Sequence, residues 1–297
     1  MPRPTRVPGL GPDTPRREGL RRLVEARLQD VLHHAGPLAQ GGEAGPEEVE
    51  RVHDARVATR RLGAVLGLYP LQPAERWAEA RQEIASLRRA LGQVRDLDLL
   101  QLFVQRERSG AQGAAEVALQ GLAARLEAHR HQARGALQQQ VVRFVQGPGV
   151  RIVQRALGEL SCGQGRLGGR AMRRRLLRRL RRAQRWLGPA LGGGADFVHE
   201  LRIAIKKLRY HAEPLVGIVA EAEGLLAALP ELQQGLGELH DHDAHLRWIV
   251  EELAQGPPQE QAGHLLLLRR SVAERKRLWP QVHKALLAWQ AGGFGLA

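Results

Sequence analysis

Apolar residues recur along most of the chain at the three- and four-residue spacings that are typical of amphipathic α-helices. The first periodic stretch begins near Arg16 and includes Leu20, Leu23 and Leu28. Stretches rich in glycine and proline, such as Gly36–Pro46, interrupt the periodicity and predict loops. The pattern predicts helices near residues 16–35, 47–68, 73–91, 114–145, 150–160, 172–187, 197–219, 221–236 and 259–289, with two more beginning near residues 96 and 241. No stretch predicts a β-strand, so we expect an all-α fold.

One segment of this pattern occurs twice. Residues 52–62 read VHDARVATRRL and residues 198–208 read VHELRIAIKKL, which share the pattern His-x-x-Arg-x-x-x-basic-basic-Leu. A second pair of segments, LGQVRDLD at 91–98 and LGELHDHD at 236–243, places its glycine 39 and 38 residues after the respective histidine. Because two landmarks stay in register, the sequence predicts an internal duplication with two related halves.

Each repeated segment has separate apolar and basic faces when it is drawn as a helix. The predicted core faces consist of Val52, Ala55, Thr59, Leu62, Leu66 and Tyr69 in the first copy and of Val198, Leu201, Ile205, Leu208 and Ala212 in the second. The predicted basic faces consist of His53, Arg56 and Arg60 in the first copy and of His199, Arg202, Lys206 and Arg209 in the second. Gly63 stands where the second copy has Arg209, so we expect the first copy to offer one cation fewer.

The charge balance points to an anionic partner. The 297 residues include 45 basic and 31 acidic side chains, which gives a formal net charge of +14. Such a surplus favours nucleic acid, polyphosphate or a membrane surface as partner. The excess of arginine over lysine is typical of a G+C-rich genome and carries little functional information. An aromatic content of only 4% further favours helices over sheets.

Several other classes of protein are not favoured by the sequence. No apolar run approaches the roughly 20 residues of a membrane-spanning helix. The single cysteine, Cys162, excludes an internal disulfide and fits a reducing cytoplasm. Residues 1–15 are rich in proline and lack the apolar core of a signal peptide, so we interpret them as a disordered lead-in.

The two basic faces favour a phosphate-rich ligand. Like charges at i and i+4 repel one another on a helix, and their occurrence in both copies indicates that an anion offsets the repulsion. Arginine presents paired N–H donors that match two phosphate oxygens. From His53 to Arg60 a helix rises about 10 Å, which suits several consecutive phosphates. Two such faces brought together would form a groove or channel for a linear polyanion.

These motifs resemble the two signatures of the CHAD family, the conserved histidine α-helical domain. The resemblance extends from about Arg16 to Trp289 and includes the Leu-Gly-x-x-x-Asp segments that end at Asp96 and Asp241. It implies one compact helical domain of two four-helix bundles, related by a pseudo-twofold axis, with a basic central channel. The domain would span residues 16–297, with a first half of about 16–160 and a second half of about 165–297.

The resemblance also implies binding of inorganic polyphosphate, without catalysis, in a cytoplasmic protein that associates with polyphosphate granules in some relatives. We expect no cofactor, no metal and no membrane partner. By matching position, the implied ligands are His53, Arg56, Arg60 and Arg61 in the first half and His199, Arg202, Lys206, Lys207 and Arg209 in the second. Arg61 and Lys207 point further round their helices than the other implied ligands.

Two alternatives stay open at this stage. Nucleic acid could use the same basic surface, and the arginine-rich stretch from Arg173 to Arg185 gives it the best support, although aromatic stacking platforms are scarce. A metal-dependent phosphohydrolase could use His240–His245, but the first copy retains only the aspartates of this segment. Those aspartates are expected either to cap the following helix or to pair with basic residues. Glu213 is expected to serve as an internal partner for a cation.

Overall fold

The structure is a computed structural model that describes residues 5, 7–41 and 45–295. Within these residues the chain forms α-helices joined by short turns and no β-strand, so the predicted all-α class is confirmed. The helices are α1 (Arg16–Ala35), α2 (Pro46–Leu66), α3 (Ala74–Arg108), α4 (Ala114–Val145), α5 (Pro148–Gly158), α6 (Arg170–Leu191), α7 (Ala195–Ala212), α8 (Glu221–Ala227), α9 (Pro230–Gln255) and α10 (Gln261–Ala291).

Two predicted breaks between helices are wrong, and the helix predicted at 197–219 ends at Ala212. The chain stays helical through residues 91–96 in α3 and through residues 236–241 in α9. A glycine inside a helix costs only about 1 kcal/mol relative to alanine, and packing against a neighbouring helix offsets that cost. The true break in the second half lies at Leu229, and Pro230 occupies the first turn of α9, where its missing N–H removes no helical hydrogen bond.

The predicted core faces of α2 and α7 are confirmed. Every residue of the two apolar sets is buried, and Val198, Leu201, Ile205 and Leu208 of α7 have no exposed surface. Thr59 is the one polar member of the set on α2, and its hydroxyl donates to the backbone oxygen of Arg56 at 2.9 Å. A buried hydroxyl therefore finds a partner, as its desolvation requires.

The chain divides into two compact units. Unit 1 consists of Met1–Asp96, Arg130–Leu177 and Tyr210–Glu223, and unit 2 consists of Leu97–His129, Arg178–Arg209 and Gly224–Ala297. In unit 1, α1 packs against α2, and in unit 2, α9 packs against α10. An apolar cluster in unit 2 contains Phe103, Leu122, Ile249 and Leu267, among others.

The predicted domain boundaries stay a prediction. Residues 1–4 and 6 of the predicted lead-in lie outside the described residues. Further along the lead-in, the backbone oxygens of Pro12 and Thr14 accept hydrogen bonds from the amides of Gly168 and Leu167 at 2.9 and 2.8 Å.

Candidate functional site

The first candidate site lies in unit 1 between α2 and α3. We call it the first basic face and define it as His53, Arg56 and Arg60 of α2 with Arg88 and Arg95 of α3. Among the residues that the structure describes, Arg60, Arg88 and Arg95 form no ion pair. The charges of three guanidinium groups are therefore left without an internal carboxylate.

The pKa of His53 is lowered by its burial and by the positive charges of this face. Partial burial lowers the pKa of His53 to about 4, and the positive charges of Arg95, Arg56 and Arg60 contribute in the same direction. His53 is therefore neutral at pH 7 in the absence of a ligand. An anion on this face would reverse the Coulombic part of the shift.

The second candidate site lies in unit 2 between α7 and α9. We call it the second basic face and define it as His199, Arg202, Lys206 and Arg209 of α7 with His240 of α9. The Nδ1 atoms of His199 and His240 are 3.1 Å apart, so one ring donates to the other. Burial, followed by the charge of Arg202, lowers the pKa of His240 to about 3.

The two faces are built on the same helix-pair register. Arg56 lies 3.5 Å from Asp96 of α3, and Arg202 lies 3.9 Å from Asp241 of α9, which are matching positions of the repeat. The aspartates lie inside helices, so they do not cap helix ends. The expected alternative, that they pair with basic residues, is confirmed.

Another pair of facing positions, one on each helix, carries different residues in the two units. In unit 2, the Arg209 guanidinium donates to the side-chain oxygen of Gln233 on α9. The positions that match them in unit 1 are Gly63 and Arg88. A Cβ atom on Gly63 would lie 3.7 Å from Nη1 of Arg88, so the arginine of α3 reaches the place on α2 that lacks a side chain.

Arg61 lies apart from the other predicted ligands of the first copy. It is only 5% exposed, and its Nε donates to Oε2 of Glu213 at 2.7 Å. Both side chains line a cavity of unit 1 together with Arg27 and Tyr210. The expectation that Glu213 is an internal partner for a cation is confirmed. Arg61 therefore does not belong to the first basic face.

Lys207 is exposed, whereas its neighbour Lys206 is half-buried on the second basic face. Successive residues on a helix are about 100° apart, so the two ammonium groups leave the helix in different directions. Lys207 is not included in the second basic face for this reason.

The arginines of α6 divide into two groups. Arg173 pairs with Glu221, and the Arg175 guanidinium lies 4.7 Å from the ring centre of Tyr69. Among the remaining arginines of α6, the exposed ones are Arg170, Arg174, Arg178, Arg181, Arg182 and Arg185. These arginines lie on a different helix from those that carry the two basic faces.

The structure does not bring the side chains of His240–His245 together as a metal site. His240 contacts His199, Asp243 accepts from Nε of Arg275 at 2.5 Å, and His245 stacks on Phe103 with ring centres 4.2 Å apart. His242 and His245 meet edge to face with ring centres 5.8 Å apart, but two imidazoles fall short of a full metal-ligand set.

A group with metal-ligand spacing occurs elsewhere in unit 2. Within the described part of the chain, Glu252, Glu260 and His264 offer ligand atoms that lie within 4.8 Å of one another. The Nη2 atom of Arg125 lies 2.6 Å from a carboxylate oxygen of each glutamate. The guanidinium already donates to one oxygen of each carboxylate, so we interpret the group as an internal ion-pair cluster.

Sequence reasoning missed the contributions of α3 and α9. Arg95 and His240 occupy matching positions in the second pair of repeated segments, 91–98 and 236–243. That correspondence could have identified both residues as candidates. Arg88 and Gln233 also match, but their chemistry differs, so the repeat alone did not single them out.

No described helix is both long and apolar enough to cross a membrane.

Comparison with known proteins agrees with this architecture. The CHAD domain family model matches residues 22–250, and the chain therefore belongs to the CHAD domain family. The crystal structure of the CHAD domain from the plant Ricinus communis is similar, with a TM-score of 0.71, 21% sequence identity and 97% of each chain covered. PptA from Streptomyces chartreusis is also similar, with a TM-score of 0.67, 18% identity, and 91% of this chain and 100% of that chain covered. At these identities the likeness shows the fold alone. No curated protein sequence matches the chain significantly.

Proposed function

We propose that this protein binds inorganic polyphosphate, without catalysis, through the first and second basic faces. The observation that carries the proposal is the set of guanidinium groups of Arg60, Arg88 and Arg95, which share one face with no ion pair among the described residues. Gathering like charges is unfavourable by itself. A ligand that carries one negative charge per repeating unit would offset this repulsion along the whole face.

The geometry of each face favours a linear anion over a single phosphate. His53 and Arg60 lie two turns apart on α2, a rise of about 10 Å. Arginine binds phosphate oxygens in pairs, while lysine acts as a point charge. Neither face offers a carboxylate pair that would hold a catalytic metal, because Asp96 and Asp241 each lie beside an arginine.

The discriminating experiment compares polyphosphate with nucleic acid. Titration calorimetry is done with long-chain polyphosphate, single-stranded DNA and double-stranded DNA at near-physiological salt. We expect polyphosphate to bind at least about tenfold more tightly than either DNA, and its affinity to fall as salt rises, because counterions are released on binding. Equal or tighter binding of DNA would refute the proposal and would assign the chain to the nucleic-acid alternative.

A second measurement tests the absence of catalysis. Polyphosphate of defined length is incubated with the protein and divalent metal, and its length is then determined by gel electrophoresis. We expect the length to be unchanged. Shortening that requires the protein would contradict the binding assignment and favour a hydrolase.

Binding is also expected to take up protons at pH 5. The unliganded pKa values of about 4 for His53 and about 3 for His240 lie below pH 5, so both rings are neutral before binding. A polyanion on these faces raises both pKa values toward the ordinary value, and protons are taken up between the free and bound pKa values. Affinity should therefore increase as the pH falls from 7 to 5.

Calorimetry at pH 5 in two buffers of different ionisation enthalpy measures this uptake. Long-chain polyphosphate is the appropriate ligand, because few of its groups are chain ends that titrate near neutral pH. A variant with H53Q and H240Q is the control and should take up fewer protons. Equal uptake by the variant, or none by the wild-type protein, would contradict the placement of the anion beside these rings.

The common central channel implied by the family resemblance stays a prediction. Binding stoichiometry tests it with polyphosphates of defined length. A channel predicts one long chain per protein molecule, whereas independent faces predict two.

A further inference from the structure

The two basic faces differ at one pair of positions, and the difference is reciprocal. On the helix that carries the histidine, unit 2 has Arg209 and unit 1 has Gly63. On the partner helix, unit 2 has the neutral Gln233 and unit 1 has Arg88. The arginine is therefore present once in each pair, on opposite helices.

The helix register shows that these positions correspond in space within each unit. Arg56 with Asp96 and Arg202 with Asp241 are matching ion pairs across the two helix pairs. Gly63 lies two turns after Arg56 and Arg88 lies two turns before Asp96, so the register that forms the ion pair also brings Gly63 and Arg88 together. The 3.7 Å approach of Arg88 to the Cβ position of Gly63 agrees with that register.

Arg88 lies within the electrostatic field of the first basic face. Partial burial lowers the pKa of Arg88, and the charges of Arg60 and Arg89 lower it further. Its side chain remains exposed, and it forms no ion pair among the described residues. An arginine held beside other cations with no carboxylate is placed to contact an anion.

We propose that Arg88 is an anion-binding residue of the first basic face and supplies there the cation that Arg209 supplies in the second. The proposal rests on the function proposed above. It changes the expectation from the sequence that the first copy offers one cation fewer, because the missing cation comes from α3. Both units therefore place a guanidinium group at the same location on the basic face, although it comes from α3 in unit 1 and from α7 in unit 2.

The test exchanges the residues within unit 1. R88Q is expected to weaken polyphosphate binding by roughly tenfold, since it removes one charge-assisted hydrogen bond to the ligand. The double variant G63R/R88Q carries the arrangement of unit 2 and should restore the affinity to within about threefold. Replacing a helical glycine with arginine favours the helix, and the nearest neighbour of the new side chain is the guanidinium that the double variant removes.

R89Q is the matched control, because it removes the same charge from the adjacent residue, whose guanidinium already bonds the Ser86 hydroxyl. It should change the affinity by less than about twofold. The reverse exchange in unit 2 provides a second test: R209G should weaken binding, and R209G/Q233R should restore it.

The outcomes separate this inference from the proposed function. If the wild-type protein binds no polyphosphate, both fail. If it binds but R88Q behaves like the wild-type protein or like R89Q, the assignment of Arg88 alone is overturned. Weakening by R88Q without restoration in either double variant would also overturn it, because the two arginines would then not be equivalent.

Discussion

A variant in which four cations of the two basic faces become glutamate is expected to lose polyphosphate binding by at least about a thousandfold. The substitutions are R56E, R60E, R202E and K206E. Charge-assisted hydrogen bonds contribute about 1.5–3 kcal/mol each, and reversal adds repulsion of the ligand to the loss of each contact. Titration calorimetry beside the wild-type protein gives the change in affinity.

Arg56 and Arg202 each lie close to an aspartate, so glutamate at these positions also introduces repulsion within the protein. A second variant with glutamine at the same four positions avoids that repulsion and should still lose at least about a hundredfold in affinity. Thermal unfolding establishes that both variants are folded.

The control reverses the same number of charges on the exposed surface of α6, at Arg174, Arg178, Arg182 and Arg185. This variant has the same net charge as the first, so general electrostatic attraction is reduced equally. We expect it to retain most of the polyphosphate affinity. If it loses as much as the first variant, the anion is held by α6 or by net charge alone, and both basic faces are wrongly assigned.

Replacing Arg61 with methionine is expected to destabilise the protein without weakening polyphosphate binding. Arg61 and Glu213 form a nearly buried ion pair. Removing one partner of a buried pair costs about 3–5 kcal/mol where nothing else compensates the remaining charge. Because Arg27 also acts on Glu213, the free energy of unfolding from urea denaturation should fall by up to that amount, while the affinity of the folded protein stays within about twofold.

The double variant R61M/E213Q removes both charges, and it should recover most of the lost stability. Lys207 provides a comparison on the other repeat, because K207M removes an exposed cation at the matching position and should leave stability nearly unchanged. A loss of affinity by R61M with unchanged stability would return Arg61 to the binding site implied by the family resemblance.

The helices were predictable because burial alone determines their apolar faces. The set from Val52 to Tyr69 is buried as the three- and four-residue spacing requires. The boundaries inside α3 and α9 were not predictable from local signals. Gly92 and Asp96 are typical of a helix end and a new beginning, but Asp96 pairs with Arg56 of another helix, and the helix continues.

The candidate site was predictable on one helix of each pair only. His53, Arg56 and Arg60 follow from the spacing on α2, because residues three and four apart share a helix face. The partners on α3 depend on how two helices pack, which the sequence of one helix does not contain. The sequence also did not predict the surroundings of Arg61. This residue follows Arg60 directly but points in another direction, where it is buried beside Glu213.

The division into units has a consequence for any attempt to dissect the protein by truncation. The chain passes between unit 1 and unit 2 five times, and α3, α4, α6, α7 and α8 each contribute residues to both. No single cut yields a fragment that contains one complete unit and nothing of the other. Half-length fragments that follow the sequence repeat would lack segments of the unit they are meant to represent. Each basic face therefore depends on the intact polypeptide for its scaffold.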